Sequence, residues 1–196
     1  FLWNKLKKHP KIFSPKFPEK EINFFSYDNL KNDSYYKFYG VGKKDDYLNL
    51  FKNSTDENYL MDSSVSYFID REAPKKIFKF NSKSKIIIMF RDPVKRAFSH
   101  HSMDFRMGLA SNSISKYLLD SQFKKFYVQY VQNSMYYKYS KNYIETFPKK
   151  QILIVDFNDK KNMCEKISTF LSIDFDKDFF DFSERINSNK IPKNLI

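Results

Sequence analysis

Glycine is scarce in this sequence. Gly40, Gly42 and Gly108 are the three among 196 residues, where average usage of about 7% would supply about 14. No GxxxxGK phosphate loop occurs, so a nucleotide bound by this chain lacks the usual backbone cradle within it. A single cysteine, Cys164, excludes a disulfide framework and a zinc site built on several thiolates. Long apolar runs are missing too. The longest uncharged one, Ile86 to Phe90, falls far short of the roughly 20 residues that span a bilayer. The first residues, Phe1-Leu2-Trp3-Asn4-Lys5-Leu6, show no initiator Met, basic leader or cleavage site. They open inside an apolar-periodic segment, which places the expected start of the protein upstream. The lone cysteine and the missing leader point to a cytoplasmic location.

What is abundant is positive charge and aromatic bulk. Lys and Arg total 35 against 23 Asp and Glu, a net charge of +12, so the natural partners are anions: nucleic acid, anionic lipid, or a phosphate- or sulfate-bearing small molecule. The accompanying excess of Asn, Phe, Tyr and Ile is also what an AT-rich coding sequence produces, and the charge alone therefore does not name the partner. With 22 Phe, 14 Tyr and 41% hydrophobic residues, the chain has the means to bury a core. The length suits one domain spanning residues 1–196.

The hydrophobic pattern alternates strands and helices. Phe1, Leu2 and Leu6 recur at helical spacing, and the helix is expected to end near Lys8, before His9-Pro10. Residues 11–46 read as loops with one or two small helices, and Tyr47 to Lys52 as a helical turn. Ile86 to Phe90 reads as a strand buried on both faces. Asp92 then caps a helix with Pro93 at its first position, running to about Met107 and stopped by Gly108. An aromatic-rich helical stretch from about Gln122 to Thr146 leads to a second strand, Ile152 to Val155, and a helix from Asn162 to Leu171. The fold class expected is α/β, with a mostly parallel sheet flanked by helices. Phe123 to Tyr143 has the composition of a base-stacking surface, but its helical spacing favours core and groove wall.

The strand-to-helix junction Arg91-Asp92-Pro93-Val94-Lys95-Arg96-Ala97-Phe98-Ser99 is the most informative segment. In parallel sheets, ligands bind beyond the carboxyl ends of strands, where a helix N-terminus favours an anion. Ser99 lies seven residues after Asp92, two turns along one helix face, so Arg91 and Ser99 are positioned to bracket a phosphate. The alternative is a capped helix with solvated basic residues. Arg96 more often packs or pairs on its own helix and is a weaker cofactor candidate. His100 and His101 point about 100° apart on a helix, and with no third ligand in view no metal site is expected.

The string RDPVKRAFS resembles the 3'-phosphate-binding segment of sulfotransferases that use 3'-phosphoadenosine 5'-phosphosulfate (PAPS). Leu2 to Pro10 is similar to the helix and His-Pro that follow that family's phosphosulfate loop. Lys20-Glu21-Ile22-Asn23-Phe24-Phe25 resembles its Lys-Glu-x-His-Phe-Phe segment, and Asp62 to Phe68 its Glu-x-(Ser/Thr)-x-x-Tyr element. Ser134-Met135-Tyr136, Phe147 to Val155 and Phe170-Leu171-Ser172-Ile173 resemble the later helix, strand and Phe-Leu-Gly-hydrophobic close. The resemblance covers nearly the whole chain. It implies a P-loop nucleotide-kinase-like sulfotransferase fold and PAPS as co-substrate, with no metal. Arg91 and Ser99 would hold the 3'-phosphate, Glu21 would serve as general base, and Lys20 and Asn23 would lie on the substrate side. The acceptor would be a hydroxyl or amine, carbohydrate-like in the style of the Lys-Glu-x-x-Phe-Phe segment, and no nucleic-acid partner is implied.

The departures are as specific. The Lys-x-Gly-Thr-Thr loop belongs immediately before Phe1, so a chain that truly began there would be inactive. Asn23 stands at a frequent His position, Ser63 where many glycan-acting members carry Lys, and His101 at a common Tyr. Two rivals stay open: a degenerate family member that binds nucleotide without turnover, and a basic module for nucleic acid or acidic glycan.

Overall fold

A computed structural model describes residues 2–32 and 39–175; Phe1, expected in the first helix, lies outside them. In chain order the elements are α1 (Leu2–Leu6), β1 (Ile12–Phe13), α2 (Tyr27–Leu30), α3 (Lys44–Asn49), β2 (Tyr59–Leu60), α4 (Ser66–Ile69), α5 (Ala73–Phe80), β3 (Ile86–Phe90), α6 (Pro93–Arg106), α7 (Ile114–Leu119), α8 (Lys124–Tyr130), α9 (Tyr136–Thr146), β4 (Ile152–Asp156) and α10 (Lys160–Leu171). Contacts divide them into two compact units. One comprises Leu2–Phe90 with Met135–Phe175, and the other includes Arg91–Ser134.

In the larger unit the strands pair in parallel, as the α/β pattern requires. β3 runs beside β4 with Ile86 opposite Ile152 and Phe90 opposite Asp156, and β1 runs beside β2 with Ile12 opposite Tyr59. Among the described residues these form two separate two-stranded ladders. Burial on both faces holds for Ile88 and Val155 but not for Ile154, which is 43% exposed. Around Ile88 the core gathers Ile22, Phe25, Tyr47, Tyr67 and Tyr143. The His-Pro turn is structural: His9 Nδ1 accepts the Lys11 amide at 3.1 Å, so Nε2 carries the proton it donates to the Asp174 carbonyl at 2.8 Å. No helix among the described residues is long and apolar enough to cross a membrane.

The end of α10 shows how a local rule is satisfied without its usual residue. The Ile173 amide bonds the Ser168 carbonyl and the Ser172 amide the Thr169 carbonyl, the paired bonds of a Schellman stop. That stop needs a left-handed residue, and Ser172 takes it at φ 54°, at a steric cost glycine does not bear.

The smaller unit is built on α6. The Asp92 carboxylate accepts the Lys95 amide at 2.7 Å, and Pro93 occupies the first turn, where its missing N–H is no loss. At the other end Gly108, at φ 72°, ends the helix as expected. Leu109 donates to the Asp104 carbonyl and Gly108 to that of Phe105. A core of Ala110, Tyr117 and Tyr130 lies beside it.

One long helix from Gln122 to Thr146 does not form. α8 ends at Tyr130, a 3-10 turn covers Gln132–Ser134, and α9 begins at Tyr136. The break coincides with β-branched Val131 and with Asn133 and Ser134, all weak helix formers. Arg96 exploits the freed groups. Its guanidinium donates to Ser134 Oγ and to the carbonyls of Gln129 and Tyr130, and it meets His100 Nδ1 at 3.3 Å.

Two stability predictions follow from this geometry. Ser172→Gly should stabilise the protein by roughly 0.5–1 kcal/mol, read as a raised denaturation midpoint; a lowered midpoint would show that Ser172 contributes more than its strain removes. Arg96→Lys, which cannot reproduce a fork toward three acceptors, should destabilise by about 2 kcal/mol. An unchanged midpoint would contradict Arg96's part in the helix break.

Candidate active site

The expected base lies on an unusual piece of backbone. Glu21 and Asn23 both adopt left-handed conformations, at φ 56° and 58°. Asn tolerates this region, whereas for Glu it is uncommon and costs on the order of 1 kcal/mol. Between them Ile22 is fully buried, so the two turns drive one side chain into the core and set Glu21 outside it. Phe24 stacks on Tyr47 with ring centroids 4.4 Å apart, and Phe25 packs edge-on to Tyr67. Together they pin the following 3-10 turn.

The 62–67 loop clamps this segment. The Glu21 amide donates to the Ser63 carbonyl at 3.3 Å, the Asn23 amide to Ser64 Oγ at 2.9 Å, and the Val65 amide to Glu21 Oε2 at 3.0 Å. Lys20 Nζ stands 4.0 Å from Glu21 Oε1 on an exposed side chain. Burial pushes the Glu21 carboxyl above its ordinary value, against the opposing pull of the Val65 amide and Lys20; the Asp62 charge adds to the rise. A carboxylate raised in this way, with one oxygen fixed by an amide, is suited to accept a proton.

Asn23 is occupied within the protein. Its Nδ2 donates to the carbonyls of Glu21 and Tyr39, both at 2.8 Å, and its Oδ1 accepts Ser66 Oγ–H at 2.6 Å. Ser66 Oγ also lies 2.7 Å from Ser26 Oγ. The side chain thus holds the turn that carries Glu21.

In the smaller unit, Arg91 follows directly on β3 and is half-buried, as is Ser99 on α6. The Ser99 hydroxyl enters no hydrogen bond among the described residues, so it is available to an oxyanion. Arg96 is accounted for by its bonds to carbonyls and Ser134. His101 Nε2 bonds the Asn112 carbonyl at 2.9 Å, while His100, whose pKa burial lowers, lies between Arg96 and Asp104. Among the described residues no cluster of three His, Cys, Asp or Glu is placed to hold a metal. Of the aromatics of the 123–143 stretch Tyr130, Tyr139 and Tyr143 are buried, whereas Tyr137 is 84% and Tyr127 36% exposed.

The sequence reading did not find Asp62 as an individual residue. Its carboxylate accepts Ser64 Oγ–H at 2.6 Å, Tyr67 Oη–H at 2.7 Å and Tyr47 Oη–H at 3.2 Å. The Asp-x-Ser-x-x-Tyr spacing hinted at Ser64 and Tyr67, two and five residues on; Tyr47, 15 residues earlier, gave no such signal.

Known proteins are similar over most of this length. The sulfotransferase domain model matches residues 69–189. Human heparan sulfate glucosamine 3-O-sulfotransferase 5 is 29% identical over 154 residues, covering 76% of this chain and 41% of that protein. Human heparan sulfate glucosamine 3-O-sulfotransferase 3B1 is 26% identical over 139 residues, covering 65% and 34%. The chain thus spans about two fifths or less of these curated relatives. Among solved structures, a sulfotransferase from Alicyclobacillus acidocaldarius superposes with a TM-score of 0.73 at 23% identity, covering 92% of this chain and 76% of that one. The sulfotransferase domain from the curacin biosynthetic pathway gives 0.53 at 13%, covering 91% and 71%. These two likenesses establish the fold. The family match across residues 69–189 takes in the Arg91–Ser99 junction, and by it the chain belongs to the sulfotransferase domain family.

Proposed function

We propose that this protein transfers a sulfuryl group from PAPS to a hydroxyl or amine of a carbohydrate-like acceptor. The observation that carries the reading is Glu21, a carboxylate raised by burial and fixed by the Val65 amide on a backbone held out of its preferred conformation. Such local strain accompanies functional positions. PAPS supplies the sulfuryl group and leaves as adenosine 3',5'-bisphosphate.

In this reading Glu21 takes the proton from the acceptor as that group attacks. Arg91 and the uncommitted Ser99 hydroxyl receive the 3'-phosphate, with the capped N-terminus of α6 favouring the anion. Lys20 lines the acceptor side, and Asn23 acts there through the turn it holds. The reaction depends on positioning and on charge at the developing transition state. Relatives named for glucosamine 3-O-sulfation of heparan sulfate favour a sugar hydroxyl as acceptor. The net charge of +12 suits both an anionic donor and an anionic glycan.

Measurements on the full-length protein test this reading. Glu21→Gln should lower kcat by about 10²–10⁴-fold with nucleotide affinity nearly unchanged, and undiminished turnover would remove Glu21 as base. A base must be deprotonated, so kcat/KM should rise with pH through a pKa above that of an ordinary glutamate, and an acid limb at the ordinary value would contradict the burial. The folded-state pKa is raised, so this group's contribution to stability is complete below the unfolded pKa and is lost as pH rises through the folded one. Glu21→Gln should therefore melt no lower than wild type at pH 7.

Arg91→Ala should weaken adenosine 3',5'-bisphosphate binding by about 10–100-fold, the loss of a charged hydrogen bond, and Ser99→Ala by less. Calorimetry reads both, and full affinity in Arg91→Ala would move the phosphate elsewhere.

A further inference from the structure

We infer that Asp62 is the positioning residue for the base: its carboxylate orders the hydroxyls of Ser64 and Tyr67, which in turn hold the backbone that carries and aims Glu21. The inference rests on the reading of Glu21 as general base. The directions of the hydrogen bonds require an acceptor at this point. Ser64 Oγ already accepts the Asn23 amide, so its own proton goes to Asp62 Oδ1 at 2.6 Å. Tyr67 Oη lies 3.5 Å from the Phe25 amide that points to it, and its proton goes to Asp62 Oδ2 at 2.7 Å. Tyr47 adds a third hydroxyl donor at 3.2 Å.

Three converging donors leave no place for a donor at position 62. An ionised carboxylate satisfies all of them, whereas a carboxamide presents an N–H₂ to at least one hydroxyl and forces it to turn. When Ser64 turns, the Asn23 amide loses its acceptor, and the left-handed pair at Glu21 and Asn23 loses one of the bonds that maintain it. The same loop supplies the Ser63 carbonyl to the Glu21 amide and the Val65 amide to Glu21 Oε2. A shift of the loop therefore moves the carboxylate that must meet the acceptor proton.

Asp62 also acts through its charge. Burial pushes its own pKa up, while the hydrogen bonds from Ser64, Tyr67 and Tyr47 pull it down. Its negative charge raises Glu21, and burial together with Asp62 keeps both tyrosines protonated as donors. Among the described residues, the charged and titratable groups facing the pair are Lys20 on the Glu21 segment, Tyr47 of α3 and Tyr67 of α4. Of these only Lys20 opposes Asp62, from an exposed side chain.

The test compares Asp62→Asn with wild type and Glu21→Gln in the full-length protein. Turnover is measured across pH, adenosine 3',5'-bisphosphate affinity by calorimetry, and exchange of the Val65 and Asn23 amides by NMR. Asp62→Asn should lower kcat by about 10–100-fold, the scale of a misplaced catalytic group. It should move the acid limb of kcat/KM to lower pH, leave nucleotide affinity within about twofold and speed exchange of both amides. A merely structural role would instead weaken nucleotide binding and leave the acid limb in place, which would overturn the inference. Unchanged amide protection would overturn it as well. If Asp62→Asn does not fold, Tyr67→Phe and Tyr47→Phe remove its donors singly, and the inference fails if Tyr67→Phe leaves Val65 exchange and the pH profile at wild-type values. Amide exchange reads positioning without turnover. Full activity in Glu21→Gln would therefore sink the base while the Asp62 result stood separately, and unaltered exchange in Asp62→Asn would sink Asp62 with the base intact.

Discussion

The attachment of residues 21–26 to the 62–67 loop is the constraint on which the setting of Glu21 depends. Two residues two positions apart hold left-handed backbone, and neither would stay there unaided. Each is over-determined: Glu21 by the Ser63 carbonyl and Val65 amide, Asn23 by Ser64, Ser66 and two carbonyls. The result is a sharp alternation in which Ile22 enters the core while the neighbouring carboxylate stays partly outside. Without the polar cross-links the hydrophobic anchor alone would leave the direction of Glu21 open. Without the anchor, the cross-links would have nothing rigid to act on.

The same economy of residue types appears in the smaller unit, where two arginines stand five residues apart. Arg96 is surrounded by carbonyls and a hydroxyl left free by a broken helix, and a planar five-donor group is the side chain that satisfies such a set. Arg91 sits where a strand ends and a helix begins, the position that gives an arginine access to an anion. Arg96 is assigned to the fold by its own acceptors, whereas the anion role proposed for Arg91 rests on its place in the chain. In a sequence with a large excess of basic residues, that distinction cannot be drawn from composition.

Much of the framework was legible because it rests on local rules. Asp92-Pro93 and Gly108 delimit α6 through capping and φ requirements confined to a few residues, and the β-branched run at Ile86 finds its parallel partner at Ile152. The break between α8 and α9 was not legible. Aromatic periodicity runs through it, and its acceptors become satisfied only when Arg96 arrives from a helix some 35 residues earlier. α4 and α5 were also missed. Asp70 ends α4 and starts α5, its carboxylate accepting the Glu72 and Ala73 amides. At Ser172 a Schellman stop formed without glycine, since the paired carbonyl bonds and the buried Ile173 outweigh the strain of one residue.

By itself the sequence pointed to the residue types at the two proposed chemical positions, a carboxylate at Glu21 and an arginine with a hydroxyl at Arg91 and Ser99, and to the parallel α/β class. The class and the Arg91–Ser99 junction follow from periodicity, caps and spacing, which act over a few residues; Glu21 was singled out by the resemblance of its segment to the sulfotransferase family. Only the tertiary structure decided which way Glu21 faces, that Asn23 is enclosed by carbonyls, and that Asp62 gathers three hydroxyls beneath them. Beside partners two to five residues away, those outcomes depend on hydrogen bonds between residues 15 to 44 apart in the chain, and such pairings have no period or spacing to read until the core has brought them together.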